Sequence, residues 1–159
     1  MKITIYTMAF NEEPLLQFMI DHYKSKFPNC NIILYDNYST DKTNEIAKNN
    51  GCEVILYNTN NEIDDDKLRD LKNNCWKNAQ TNWVLICDID ELLNISENEL
   101  IEEDNKGVSI ISSEAYSMVN LEEDYDLDNI KFGFRDVNYD KSYLFNKSLI
   151  NDIEYNHGA

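Results

Sequence analysis

The sequence predicts an α/β protein with a mostly parallel central sheet and helices on both of its faces. Two observations carry this prediction. Four short apolar runs, rich in β-branched and aromatic residues, alternate with longer segments whose apolar residues recur at helical spacing. Three of these runs also end in polar or acidic residues. That pattern is typical of parallel strands that deliver their side chains to one edge of a sheet.

The first 95 residues carry all four predicted strands. The stretch Asn11-Glu12-Glu13-Pro14 after the first run is a typical helix start, because acids in the first turn complement the helix dipole. Gly51 follows the second helical segment and suits a helix end. The predicted strands are residues 3–9, 32–35, 53–57 and 83–87, and the predicted helices are residues 15–27, 45–50 and 67–80.

The second half of the chain has a weaker pattern. We expect a short acidic helix at 96–103, a strand at 108–111 that extends toward residue 119, and short strands at 142–146 and 152–155. An acidic, asparagine-rich stretch at 116–131 predicts a loop or flap. Two prolines, four glycines and no internal repeat leave no flexible linker. We therefore expect one domain over residues 1–159, with a longer half at 1–95 and an abbreviated half at 96–159.

Composition excludes several classes of partner. The formal net charge of −16 and the pI near 4.3 disfavour nucleic acid and anionic membrane surfaces, because both require a basic face. No window has the length of a transmembrane segment, and the N-terminus does not resemble a signal peptide. The four cysteines are widely spaced and lack a C-x-x-C pair, which indicates reduced thiols in a cytoplasmic protein.

The stretch WVLICDIDELL places carboxylates directly after the fourth strand. Strands one and two also end near acids, Glu12 and Asp36, so the carboxylates should meet at one edge of the sheet. If the strand continues that far, Asp88 and Asp90 point to the same side while Ile89 turns into the core. Paired carboxylate oxygens suit Mg²⁺ or Mn²⁺, which keeps several waters and bridges to substrate phosphates.

Three stretches together resemble a known family: AFNEE after strand one, YDNYSTDKT after strand two and CDIDE after strand four. They are similar to the nucleotide-sugar glycosyltransferases of the GT-A fold, and closest to the family 2-like group with an extended D-x-D-E motif. The resemblance covers residues 1–95 and is vaguer beyond. It implies a Rossmann-like sheet in which residues 1–95 bind a nucleotide sugar and residues 96–159 form the acceptor side.

The activity that this resemblance implies is metal-dependent sugar transfer. The donor would be a nucleotide-diphosphate sugar, with a UDP-sugar favoured, and the acceptor a glycan, a glycoconjugate or another hydroxyl compound. The transferred group would be a hexosyl or deoxyhexosyl unit, and the reaction would invert the anomeric centre. The expected cofactor is Mn²⁺ or Mg²⁺. The chain is shorter than typical members, which fits a fragment or one catalytic domain of a longer protein.

The resemblance also implies roles for residues that contact the nucleotide. Asp36 matches the acid that accepts a hydrogen bond from the base. Ala9, Phe10 and Asn11 match the loop that lies along the base, with Phe10 where an aromatic ring stacks. Glu12 either reaches the ribose or holds this loop as a first-turn acid.

The metal and the diphosphate are assigned in the same way. Asp88 would face the ribose or a metal-bound water, and Asp90 would ligate the ion that bridges the diphosphate. Glu91 would orient this loop or cap the next segment. The family often completes the metal site with a late histidine. Either His157 is that ligand, or the ligand lies beyond Ala159.

Basic residues and a general base complete the expected site. Lys67 and Arg69 match a region where the family places a cation for the donor, although both also suit a solvated helix face, and Lys141 is a third candidate for the diphosphate. An inverting transfer needs a base that removes the acceptor proton. Glu114 is preferred for that role over Asp136, and either could instead be an exposed structural carboxylate.

The sequence is also compatible with two other functions. A sugar nucleotidyltransferase also uses metal-bound carboxylates on such a sheet, but it usually needs a glycine-rich, basic phosphate loop after strand one, which residues 9–14 do not supply. The second alternative is a module that binds a nucleotide sugar without catalysing a reaction. Release of a nucleotide diphosphate from a donor with Mn²⁺ distinguishes the enzyme from the binding module.

Overall fold

The protein folds as a mixed α/β structure in a computed structural model that describes residues 1–60, 64–120 and 127–155. His157 and part of the predicted flap at 116–131 lie outside the described residues. The strands are β1 (Ile3–Ala9), β2 (Asn31–Asp36), β3 (Glu53–Leu56), β4 (Trp83–Ile86), β5 (Ile110–Ser113), β6 (Tyr116–Val119), β7 (Phe132–Arg135) and β8 (Lys141–Asn146). The helices are α1 (Glu13–Lys26), α2 (Thr43–Asn49), α3 (Asp65–Asn74) and α4 (Glu97–Asn105), with 3₁₀ turns at Cys75–Asn78, Leu127–Asn129 and Val137–Tyr139.

The central sheet has six strands in the order β3-β2-β1-β4-β8-β5. Strands β1 to β4 pair in parallel, whereas β8 lies antiparallel between β4 and β5. The prediction of a mostly parallel sheet is therefore confirmed. The first four strands end at the same edge, because a parallel arrangement aligns their carboxyl ends.

Hydrophobic packing covers both faces of this sheet. On one face, Ile3 and Ile5 of β1 pack with the buried residues of α1, and Leu100 of α4 joins the same cluster. On the other face, Tyr6 and Met8 pack with the 3₁₀ turn that follows α3. The alternation along β1 follows from the period of two in a strand. Helices on both faces, as predicted, bury this strand completely.

Three predictions for the second half of the chain need correction. The strand expected from 108 toward 119 is divided into β5, which joins the central sheet, and β6, which pairs with β7 in a separate two-stranded sheet. Part of the predicted flap is therefore a strand. Residues 152–155 form no strand; instead, the backbone N–H of Tyr155 donates to the Asn73 side chain, and Ile153 packs against the buried cluster that contains Trp76.

The helix predicted at 67–80 begins earlier and ends earlier. Asp64 caps α3 because its side chain accepts a hydrogen bond from the Lys67 N–H at 3.0 Å. The four cysteines are free thiols, as predicted. Among the described residues, none of the helices combines the length and apolar character that crossing a lipid bilayer requires.

Candidate active site

The loops after β1 and β2 interlock at the carboxyl edge of the sheet. Asn11 adopts φ 58°, a left-handed conformation that asparagine tolerates better than most residues. In this conformation its backbone N–H donates to Ser39 Oγ at 2.9 Å, and its Oδ1 accepts from the Thr40 N–H at 2.8 Å. Asn11 thus ties the first loop to the second.

The start of α1 depends on the same neighbouring loop. The residue before the helix, Glu12, makes no side-chain cap hydrogen bond. The N–H groups at this helix start are satisfied by the loop before α2 and by the first residue of α2. Glu13 N donates to Asp41 Oδ2 at 3.0 Å, and Glu12 N donates to Thr43 Oγ1 at 2.8 Å. The AFNEE and STDKT stretches therefore form one structural unit.

Asp36 lies at the end of β2 and is fully buried. Its two carboxylate oxygens accept from the Ser39 N–H at 3.2 and 3.1 Å, and Oδ2 also accepts from Asn44 Nδ2 at 2.8 Å. These bonds give Asp36 a clear part in shaping the second loop. Its hydrogen bond to a nucleotide base stays a prediction.

The carboxylates after β4 face two lysines. Lys72, on the last turn of α3, has a side chain only 6% exposed, and its Nζ donates to both oxygens of Asp88 at 2.9 and 3.2 Å. Lys141, the first residue of β8, places its Nζ 3.8 Å from Asp88 Oδ2 and also contacts Glu91 Oε1. The result is an alternating row of charges: Lys72, Asp88, Lys141 and Glu91.

The loop that carries these acids is hydrogen-bonded to Tyr23 of α1. The Tyr23 hydroxyl donates to the Glu91 carbonyl at 2.7 Å and accepts from the Leu93 N–H at 3.1 Å. Ile89 is buried, as the sequence predicted, while Asp90 beside it is exposed. The loop therefore presents Asp90 to solvent while its backbone is hydrogen-bonded to Tyr23.

A cavity of about 340 Å³ opens beside this loop. One part of its wall is apolar, and the other carries three carboxylates. The apolar and aromatic wall is formed by Met8, Ala9, Phe10, Leu15, Tyr57 and Leu68, and the acids are Glu12, Asp88 and Asp90. A small pocket with an apolar wall and a few convergent polar groups is the usual form of a ligand site.

The carboxylates in this cavity repel one another. Burial, followed by the charges of Asp90, Asp41 and Asp88, raises the pKa of Glu12 above its ordinary value. For Lys141, burial lowers the pKa, but the hydrogen bond to Glu91 and the attraction of the nearby acids outweigh it and leave the pKa raised. Lys141 is therefore firmly cationic, and the acidic end of the cavity favours a bound positive charge.

The cavity brings together five of the residues predicted for the site: Ala9, Phe10, Glu12, Asp88 and Asp90. Asn11 and Asp36 act in the loops that surround it, and Lys141 contacts Asp88. His157 is outside the part of the chain that the structure describes.

Other predicted residues are engaged elsewhere. Lys67 pairs with Asp64 at 3.3 Å and Arg69 with Asp66 at 2.7 Å, in exposed pairs one helical turn apart. Neither Lys67 nor Arg69 lines the cavity, although Leu68, which lies between them in the sequence, does.

The two candidate bases flank the β6–β7 pair: Glu114 lies just before β6, and Asp136 directly follows β7. Glu114 is 73% exposed, and its Oε2 is 3.8 Å from Arg135 Nε. Asp136 accepts hydrogen bonds from Ser117 Oγ at 3.4 Å and from the backbone and side-chain nitrogens of Asn138, both at 3.2 Å. Neither carboxylate lines the cavity.

Lys72 is the residue that sequence reasoning missed. A signal for it was available, since Lys72 follows Leu68 by four residues and precedes Cys75 by three. Those spacings put Lys72 on the apolar face of α3, where a lysine needs a buried partner. Tyr57, which the sequence predicts as the end of the third strand, also lines the cavity.

A divalent ion would find few protein ligands in this region. Across residues 1–60, 64–120 and 127–155, no group of three or more histidine, cysteine or acidic side chains is arranged to hold a metal. Asp88 and Asp90 supply two carboxylates. Two carboxylates with waters and substrate phosphates is a common arrangement for Mg²⁺.

Solved structures of low sequence identity share this fold over part of their length. The crystal structure of S. aureus TarS matches 69% of this chain and 21% of its own length, with a TM-score of 0.54 and 19% identity. The S. aureus TarS 1-349 structure in complex with UDP matches 70% of this chain and 34% of its own, with a TM-score of 0.51 and 16% identity. The chain thus spans about a third or less of these proteins.

Comparison with curated protein sequences finds no match. The model of a protein family does match, and it covers most of the chain. Residues 4–151 fit the family described as "Glycosyl transferase family 2". The structural likeness to TarS agrees with the GT-A fold that the sequence motifs implied. The chain belongs to glycosyl transferase family 2.

Proposed function

We propose that this protein is a metal-dependent glycosyltransferase that uses a nucleotide-diphosphate sugar, with a UDP-sugar favoured, and a glycan or another hydroxyl acceptor. The observation that carries the proposal is the cavity at the carboxyl edge of the sheet. It joins an apolar and aromatic wall to a cluster of carboxylates. Two lysines, Lys72 and Lys141, pair with Asp88 of that cluster. Membership of the family supports the same reaction.

The donor would lie with its base against the apolar wall and its diphosphate beside Asp88 and Asp90. Phe10 is 47% exposed at the mouth of the cavity, so its ring face is available for stacking. Tyr57 lines the same wall. Support for UDP comes from TarS, which was crystallised with UDP and shares the fold.

The residues at the acidic end fit a divalent ion. Glu12, Asp88 and Asp90 line the same cavity, and burial, followed by the charges of Asp90, Asp41 and Asp88, raises the pKa of Glu12. Asp90 is exposed and Asp88 is partly exposed, so both can hold Mn²⁺ or Mg²⁺ together with phosphate oxygens. When bound, such an ion stabilises the charge that develops on the departing diphosphate.

The two lysines would act on different sides of the same loop. Lys72 is buried and holds Asp88 through both carboxylate oxygens, so it fixes the direction of that side chain. Lys141 is 28% exposed and lies between Asp88 and Glu91, where it can turn toward a diphosphate. A cation near the leaving group stabilises its developing charge.

Glu114 is the better candidate for the general base of an inverting transfer. Its carboxylate is largely exposed and its ion pair with Arg135 is long, at 3.8 Å. The oxygens of Asp136 accept three hydrogen bonds and cap the 3₁₀ turn Val137–Tyr139. Asp136 is therefore better suited to shaping the chain than to accepting a proton from an acceptor hydroxyl.

Turnover of a sugar nucleotide tests the proposal. Purified protein is incubated with UDP-glucose, UDP-GlcNAc or GDP-mannose and Mn²⁺, and release of the nucleotide diphosphate is measured with and without oligosaccharide acceptors. We expect release that depends on Mn²⁺ and is lost in Asp90→Asn. Absence of release from every donor contradicts the proposal. Pyrophosphate release from UTP and a sugar 1-phosphate would instead indicate a nucleotidyltransferase.

A further inference from the structure

The two-stranded sheet of β6 and β7 exposes an unusual number of aromatic and apolar side chains. We call it the aromatic ribbon. Its exposed side chains are 56% to 65% accessible, which is far from the burial that large apolar groups normally reach. They are Tyr116, Met118, Phe132 and Phe134. Large exposed apolar patches on soluble proteins commonly mark interaction sites.

The strand register divides these side chains between two faces. Phe134 lies opposite Ser117 and Phe132 lies opposite Val119, so the two phenylalanines share one face. The other face carries Tyr116 and Met118. On the phenylalanine face, two rings stand two residues apart beside the small Ser117, which leaves a flat and open aromatic surface.

We call the end of the ribbon at Ala115, Arg135 and Asp136 its foot. A network of hydrogen bonds holds the foot in place. Arg135 Nη1 donates to the Ala115 carbonyl at 3.0 Å, and Arg135 also pairs with Asp140. Ala115 N donates to Asp140 Oδ1 at 2.8 Å, and Asp136 N donates to the Ala115 carbonyl at 3.0 Å. An isolated two-stranded hairpin is marginal in water, so these contacts fix the ribbon in place before any ligand arrives.

The ribbon is continuous with the rim of the active site. The chain runs from Asp140, at the foot of the ribbon, directly into Lys141, whose Nζ lies 3.8 Å from Asp88 Oδ2. Ser113 at the end of β5 donates to the Lys141 carbonyl at 2.9 Å, and Glu114 follows it. The foot of the ribbon is therefore joined directly to Lys141, the residue whose side chain reaches the acidic end of the cavity.

We propose that the phenylalanine face of the aromatic ribbon docks the sugar chain of the acceptor. This inference rests on the proposed glycosyltransferase function and adds the place where the acceptor is held. The faces of pyranose rings carry C–H groups that pack against aromatic rings, whose negative faces attract them. One sugar hydroxyl would then lie at the cavity while the neighbouring sugar units rest on Phe132 and Phe134.

Charge favours a neutral sugar chain over negatively charged occupants. The protein carries a net charge of −16, so a second copy of the chain or an anionic polymer would be repelled. The positive charge of Arg135 at the foot of the ribbon is already paired with Asp140 and faces Glu114. A neutral glycan needs no countercharge and gains from exposed rings.

Binding to a glycan array tests this proposal with the full chain. The wild type is compared with Phe132→Ser/Phe134→Ser, and with Phe132→Leu/Phe134→Leu, which keeps apolar bulk without a ring face. Leu149→Ser is the matched control, because Leu149 is 53% exposed and lies outside the ribbon. We expect the wild type and the control to bind a subset of glycans, and both ribbon variants to bind that subset about tenfold more weakly.

A separate measurement keeps this proposal distinct from the proposed function. Binding of UDP-sugars with Mn²⁺ should be the same in the wild type and the ribbon variants, since Phe132 and Phe134 do not line the donor cavity. If the wild type binds no glycan, or if the ribbon variants bind as the wild type does, the ribbon is not the acceptor platform. A dimeric wild type that becomes monomeric in the ribbon variants would assign the face to self-association and overturn the proposal.

Discussion

Replacing Lys72 with methionine removes the buried partner of Asp88, and we expect a large loss of stability. The Lys72 side chain is 6% exposed and its Nζ lies 2.9 and 3.2 Å from the two oxygens of Asp88. Breaking a fully buried ion pair by removing one partner costs roughly 3–5 kcal/mol. Asp88 is itself 29% exposed and keeps Lys141 at 3.8 Å, which reduces the cost. We therefore expect a loss of about 2–3 kcal/mol.

Urea denaturation of the wild type and Lys72→Met measures this loss, with thermal unfolding as a second readout. The expected loss corresponds to a fall in Tm of about 4–12 °C for a domain of this size. Lys67→Met is the matched control, because Lys67 lies on the same helix but is 51% exposed and pairs with Asp64 at the surface. An exposed pair of this kind contributes about 0–1 kcal/mol.

A double variant tests the reason for the loss. If the cost comes from leaving the Asp88 charge without its main partner, then Lys72→Met/Asp88→Asn should recover much of the stability that Lys72→Met loses. The reasoning is refuted if Lys72→Met is no less stable than Lys67→Met. It is also refuted if the double variant shows no coupling between the two positions.

Two further predictions concern the loops around the cavity. Asp36→Ala should lower the free energy of unfolding by about 2 kcal/mol in urea, because the Ser39 N–H and the Asn44 amide lose a buried acceptor; a change below about 0.5 kcal/mol would contradict this role. Glu12→Gln should stabilise the metal-free protein at pH 8 and lose that advantage at pH 4. Burial and the charges of Asp90, Asp41 and Asp88 raise the pKa of Glu12 above 4.5, so the wild type loses stability as the pH rises through that pKa. Urea denaturation at both pH values checks the sign, and an advantage that grows toward acid pH would contradict it.

The secondary structure of the first half of the chain could be predicted from the sequence because its signals are local. Apolar runs, helix starts and the glycine after α2 place β1 to β4 and the helices between them within a few residues. Ile89 is buried as predicted, but β4 ends at Ile86 and Ile89 lies in the turn that follows, so the period of a strand is not the cause of its burial. The acidic residues at the strand ends then follow from the geometry of a parallel sheet.

The second half depends on pairings between distant residues, which periodicity does not encode. Nothing in the sequence of β8 indicates that it inserts antiparallel between β4 and β5. Likewise, β6 and β7 alternate weakly and are exposed on both faces, so the segment resembles a flap. The ion pair of Lys72 with Asp88 joins residues 16 apart in sequence across a helix and a strand. The spacing of Lys72 from Leu68 and Cys75 places it on the apolar face of α3, but its pairing with Asp88 is visible only in the three-dimensional structure.

Binding of a UDP-sugar tests the central claim most directly. Isothermal titration calorimetry with UDP-glucose and UDP-GlcNAc, each with and without Mn²⁺, compares the wild type with Asp90→Asn. Because Asp90 is exposed at the cavity, the substitution should leave the unfolding temperature within a few degrees of the wild type. We predict that the wild type binds at least one UDP-sugar in the presence of Mn²⁺, and that Asp90→Asn loses this binding. Failure of the wild type to bind either sugar, or equal affinity in the two proteins, would contradict the account.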